Sequence, residues 1–222
     1  AEDGQLAPAT VREHASEDTA AILVNTPNNP TGAVYDEATM RELVGIAEDN
    51  DALLLSDEVY DHFDYSGRFA SALGVDSDHR VVTNAFSKSM AITGFRVGYA
   101  IFPEELVDAA KTRHMLVNVA GSRPAQRAVL HALQETDPAY YEANRELMAE
   151  RVETFTAALD DAGAEYTTPA GGFYVLARFE DFPGTLENVE RLIDEAGVAG
   201  MPGDAFGSAR DEWLRFALVT PR

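Results

Sequence analysis

The sequence predicts an α/β fold: a mostly parallel sheet with covering helices, followed by a smaller α+β domain. Three observations predict it. Four short apolar runs in the first two-thirds read as strands, and a capped amphipathic helix lies between the first two of them. A long helical pattern then leads into a second, separate set of strand-like runs.

The strand candidates are 21–25 (AILVN), 52–56 (ALLLS), 80–84 (RVVTN) and 97–102 (VGYAIF). The first three are mostly apolar on consecutive positions, as strands buried on both faces tend to be. Between the first two, Asp36 is a good N-cap, and Met40, Leu43, Val44 and Ala47 mark one helical face. A strand–helix–strand unit of this kind predicts parallel pairing under a helical cover. Thr136, Asp137 and Pro138 then open a long helix, with a capping residue and Pro in the first turn. Met148, Val152, Phe155 and Leu159 hold one apolar face until Gly163 ends it. That helix is about 40 Å long, enough to bridge two domains. Strand-like 173–177, a helix over 186–196 and strand-like 213–218 follow. The expected division is a large domain over residues 1–150 and a small one over 151–222.

Of the 222 residues 45% are apolar, so the chain can bury a sizeable core. No apolar run approaches the roughly 20 residues of a membrane span, and the start does not read as a signal peptide. A cytoplasmic location is expected. Cys is absent, which excludes disulfides, thiolate metal sites and Cys nucleophiles. The formal charge is −21, a field that repels nucleic acid and anionic membrane. There are 15 Arg and only two Lys, Lys88 and Lys111. An acid-rich, Lys-poor surface reads as adaptation to high salt, where screening removes self-repulsion; the alternative is an ordinary acidic cytoplasmic protein.

The chemistry collects after three strands. The first runs into Asn25-Thr26-Pro27-Asn28-Asn29-Pro30-Thr31-Gly32, the second into Asp57-Glu58-Val59-Tyr60, the third into Ala85-Phe86-Ser87-Lys88. In open α/β sheets, ligands bind beyond the carboxyl ends of strands. Each segment also has a plainer reading: a turn, a surface lysine, and for Asp57, Glu58, Asp61 and Asp64 either a solvated acidic loop or hard-cation ligands. His14, His62, His79, His114 and His131 lack metal-ligand spacing and read as packing or surface groups. Phe173 and Tyr174, after Gly171 and Gly172, read as small-domain core.

Taken together, Asn28-Asn29-Pro30-Thr31-Gly32, Asp57-Glu58-Val59-Tyr60 and the run from Ser87-Lys88 through Gly94-Phe95-Arg96 to Gly98 resemble the fold type I, class I/II aminotransferases. Arg215, in Trp213-Leu214-Arg215-Phe216-Ala217, stands where that family keeps its substrate-carboxylate arginine. The resemblance implies pyridoxal 5′-phosphate as cofactor and a homodimer in the full-length protein. It implies that Lys88 forms the Schiff base and later carries a proton. By the same resemblance, Asp57 is expected to face the pyridine nitrogen, and Tyr60 and Asn29 to bond the 3′-oxygen. Arg96 is expected to meet the phosphate and Arg215 with Asn29 the substrate, while Ser87 either touches the phosphate or caps the next turn. The implied reaction moves an amino group between an amino acid and a 2-oxo acid. The same motifs also serve β-eliminating lyases and decarboxylases, and a non-catalytic fragment is the alternative from another class. A dinucleotide site fails for want of Gly-x-Gly-x-x-Gly after a strand.

Two departures stand out. The family's Ser or Thr three residues before the lysine is Ala85 here. Family members also carry roughly 150 further residues before the Asn-Pro-Thr-Gly segment, a domain's worth. The resemblance therefore implies a C-terminal fragment, with an exposed sheet edge and an incomplete cofactor cradle.

Overall fold

The computed structural model describes residues 4–220. Its first sheet has strand order β1-β2-β3-β4, with β1 Ala21–Asn25, β2 Leu53–Asp57, β3 Arg80–Ala85 and β4 Gly98–Ile101. β1, β2 and β3 pair in parallel, with Asn25 opposite Asp57 and Asp57 opposite Thr83. Their carboxyl ends therefore lie side by side. β4 returns antiparallel to β3, so the sheet is parallel in two of its three pairings.

Helix α1 spans Pro8–His14, and α2, Glu37–Asp49, makes the expected crossover. The Asp36 carboxylate accepts the Thr39 N–H at 2.8 Å, supplying one of the partners that a helix start lacks. Met40, Leu43, Val44, Ile46 and Ala47 are buried against Ile22, Val24, Leu54 and Val82. The strands are covered less fully than expected. On β1, Ile22 and Val24 are buried while Leu23 between them is 70% exposed. All four residues of β4 are exposed. Side chains alternate across a sheet, so β1 is covered on one face and open on the other, whereas on β3 the consecutive Val81 and Val82 are both buried. Helix α4, Glu104–Asn118, buries none of its residues.

After α5, Arg123–Glu135, comes α6, Pro138–Asp161, capped by Asp137. It runs about 36 Å. Its Met148 packs with Tyr60 and Phe63 of the first half, and its Leu159 enters the core of the second. The second sheet is antiparallel, in the order β5-β6-β8-β7, from β5 Glu165–Tyr166, β6 Tyr174–Arg178, β7 Met201–Pro202 and β8 Trp213–Ala217. Helix α7, Leu186–Ala196, is capped by Thr185 and ended by left-handed Gly197. Val175, Ala177, Leu214 and Phe216 form the core beneath that sheet, with Val189 of α7. The period of two sends Tyr174 and Arg215 to its opposite face.

The halves are stitched by a loop. The N–H groups of Ala170 and Gly171 donate to Gly32 O, and that of Gly172 donates to Phe63 O. Gly32 has φ +74°, and a Cβ there would sit 2.4 Å from Cβ of Pro169. Only glycine allows both the left-handed backbone and this approach.

Candidate active site

The site is built where β1, β2 and β3 end. Asn25, last in β1, donates from Nδ2 to Asp57 O at 3.0 Å and accepts the Asn29 N–H at 2.7 Å. One side chain thus ties the Asn-Pro-Thr-Gly turn to the end of β2. Asp57 accepts the Val59 N–H at 3.2 Å. Burial pushes its carboxyl above the ordinary range, against the lowering effect of that bond. No cation among the described residues pairs with it. The rest of the acidic run serves local structure. Buried Glu58 accepts Ser56 Oγ and the Ala72 N–H, Asp61 accepts Asn84 Nδ2, and Asp64 caps the loop to Phe69.

Beyond β3, Lys88 sits on the one-turn helix α3, Phe86–Ser89. Its Nζ lies 5.9 Å from the Tyr60 ring centre and 6.0 Å from that of Phe173. Ser87 and Lys88 line a cavity of about 440 Å³, closed on other sides by Met148, Arg151, Phe173 and Tyr174. Arg96 does not line it. Its backbone is left-handed at φ 55°, its guanidinium donates to Thr93 O at 2.9 Å, and it faces a neighbouring cavity beside Phe95 and His114. Ala85 caps α3 without any side-chain bond.

Arg215 arrives from β8. It donates to Asn29 Oδ1 at 3.0 Å, across 186 residues of sequence. Its guanidinium lies over the Tyr174 ring at 4.6 Å and the Phe206 ring at 5.1 Å, while its buried Nε has no hydrogen-bond partner. Tyr60 is buried, and its hydroxyl meets that of Tyr174 at 3.2 Å. Burial, then the Tyr174 bond, raises the Tyr60 phenol above its ordinary range. The structure therefore gathers Asn29, Asp57, Tyr60, Lys88 and Arg215 around one aromatic cluster, with Ser87 at the cavity wall and Arg96 turned aside.

Phe173 and Tyr174 correct the sequence reading. They are buried, yet with Tyr60, Phe63 and Met148 rather than in the small-domain core, and both line the Lys88 cavity. Their position after Gly171-Gly172 was the available signal. The glycine pair lets that segment lie against Phe63 and Pro27.

A family model, aminotransferase class I and II, matches residues 5–222. The chain belongs to that family. This class I and II chain is 37% identical over 223 residues to the aspartate/prephenate aminotransferase of Thermus thermophilus, covering 95% of itself and 58% of that relative. It is 32% identical to aromatic-amino-acid aminotransferase 2 of Thermococcus litoralis, covering 97% of itself and 57% of that protein. A solved structure of Thermus thermophilus aspartate aminotransferase with maleate matches with a TM-score of 0.90 at 36% identity, over 97% of this chain and 56% of the other. The chain thus spans a little over half the length of these relatives.

Proposed function

We propose that these residues belong to a pyridoxal-phosphate-dependent transaminase, moving an amino group between an α-amino acid and a 2-oxo acid. The observation that carries the reading is the gathering of a lysine, a desolvated carboxylate, two hydroxyl or amide donors and an arginine at one junction. The same reading makes residues 1–150 the cofactor-binding part and 151–222 the part that brings Arg215. The names of the relatives make aspartate, prephenate and aromatic amino acids the candidate substrates.

The donor set fits the cofactor. Asp57, half-buried and without a cation, is what a protonated pyridine nitrogen requires. The orphaned Nε of Arg215 is a buried donor awaiting an acceptor. When bound, the cofactor supplies an electron sink for charge developing at the substrate α-carbon. Asp57 would hold the proton at the pyridine nitrogen. Tyr60 and Asn29 would donate to the 3′-oxygen; Asn29 has its Nδ2 hydrogens to offer, since Oδ1 is taken by Arg215. Arg215 would bind the substrate carboxylate, oriented by Asn29 and by the two rings that flank it. Lys88 Nζ would hold the cofactor aldehyde and, once released, take the proton from the substrate α-carbon. For the phosphate, Ser87 would offer a hydroxyl, and Arg96 would give up its bond to the Thr93 carbonyl to hold the anion. The complete enzyme in this reading is a cytoplasmic homodimer, and the −21 charge of these 222 residues supports a working environment of high salt.

The test is Lys88→Ala beside the wild type in the full-length protein, titrated with pyridoxal phosphate in molar potassium chloride. A pH-sensitive visible band in the wild type, absent from the variant, is expected, as is loss of aspartate-dependent turnover by at least about a thousandfold. Near-normal turnover in the variant would sink the assignment.

A further inference from the structure

Tyr174 occupies a place that packing alone does not require. It opens β6 and is 7% exposed. Among the described residues its hydroxyl and that of Tyr60 have each other as hydrogen-bond partners, at 3.2 Å. The two rings meet edge-on, 5.7 Å apart at 88°. The face of the same Tyr174 ring lies under the Arg215 guanidinium at 4.6 Å. Tyr60 follows β2 in the first half of the chain, and Arg215 lies on β8 in the second. One side chain thus touches both, with its hydroxyl on one and its π-face on the other.

We propose that Tyr174 is a positioning residue that orients Tyr60 through its hydroxyl and seats Arg215 through its ring. The inference rests on the reading above, in which Tyr60 and Arg215 meet cofactor and substrate. The hydroxyl matters for proton supply. Tyr60 has one O–H proton. When that proton is donated to a ligand, the bond to Tyr174 survives only with Tyr174 as donor. Tyr174 then fixes the direction in which Tyr60 donates and polarises its O–H, strengthening it as a donor. A phenylalanine at 174 would fill the same volume without burying a hydroxyl, which is costly unless it is bonded. The ring acts electrostatically: a guanidinium over a desolvated aromatic face is held in place while its edge stays free for a carboxylate. The charged or titratable groups facing Tyr60 are Asp57 from its own segment, Lys88 from α3, Arg215 from β8 and Tyr174 from β6.

The experiment uses the product of the complete gene, loaded with pyridoxal phosphate, with L-aspartate as the amino-acid probe. The first readout is the pH midpoint of the visible band of the lysine-bound cofactor. A weaker donor at the 3′-oxygen favours the protonated linkage, so Tyr174→Phe raises the midpoint by about 0.5–1 unit. Tyr60→Phe raises it too, and adding Tyr174→Phe to Tyr60→Phe moves it no further, because the effect passes through Tyr60. The second readout is KM. Tyr174→Phe keeps the ring and leaves KM within about twofold, whereas Tyr174→Leu removes it and raises KM about tenfold. A Tyr174→Phe midpoint equal to the wild type, or full additivity with Tyr60→Phe, overturns the hydroxyl role. An unchanged KM in Tyr174→Leu overturns the ring role. A wild-type protein without a band that Lys88→Ala abolishes overturns the underlying reading, and the inference with it.

Discussion

Asp57 shows how a single residue can trade stability for chemistry. Its carboxyl is withdrawn from water at the end of β2, with one backbone N–H to offset the loss. The folded pKa therefore lies above the unfolded value. Such a group stabilises the fold below the unfolded pKa, and that contribution is lost as pH rises through the folded pKa. At neutral pH the ionised form is a burden, one that a bound pyridinium would relieve under the proposed function. Asp57→Asn keeps the shape and the acceptor for Val59. It is expected to raise the melting temperature of the cofactor-free protein at pH 7 by roughly 2–4 °C, with the gain vanishing near pH 4. Turnover should fall by about a hundredfold or more in the same variant. Calorimetry at the two pH values, with a transaminase assay, checks both; a variant less stable at pH 7 would show that Asp57 is not under strain.

At the scale of elements, α2 decides where the site residues stand. Asn25 and Asp57 end the two strands that α2 spans, and its buried face is what holds those strands in the sheet. Leu43 is fully buried there. Leu43→Ala is expected to cost about 2–5 kcal/mol, part lost transfer energy and part cavity. In urea the midpoint should drop with an unchanged slope, since the surface exposed on unfolding is the same. A loss under about 1 kcal/mol would mean that the helix repacks freely. Helix α6 does the corresponding work between the halves, with Met148 at the aromatic cluster and Leu159 in the second core.

Across the whole molecule, charge governs how stability responds to the solvent. Thirty-eight acids face 17 bases, and the Lys and Arg ion pairs among the described residues have exposed side chains: Arg41–Glu37, Lys111–Asp108 and Arg191–Glu195 within helices, Arg12–Asp49 between helices, and Arg178 between Glu165 and Glu212. Exposed pairs contribute little, so most of the repulsion is left to salt. The Debye length falls from about 10 Å at 0.1 M to about 3 Å at 1 M. The melting temperature of the cofactor-free protein should accordingly rise by roughly 5–15 °C between 0.1 and 2 M potassium chloride. A scan that stays flat over that range would remove self-repulsion as a determinant of stability.

Much of this was legible in sequence because its causes are local. Asp36 caps α2 by reaching Thr39, the Met40–Ala47 face follows from helical period, and the motifs after three strands are consecutive residues. Parallel pairing followed from the crossover helix. What the tertiary structure alone decided concerns residues brought together from far apart. The return of β4 against β3, the open second face of β1, and the turning of Arg96 to Thr93 depend on which surfaces are covered and which bonds lie within reach. Phe173 and Tyr174 look like small-domain core in one dimension. Only the stitching of Ala170–Gly172 to Gly32 and Phe63 sets them against Tyr60, and only the alternation along β6 and β8 puts Arg215 over Tyr174. Local patterns record what each segment prefers; a site shared between two sheets exists only once they pack.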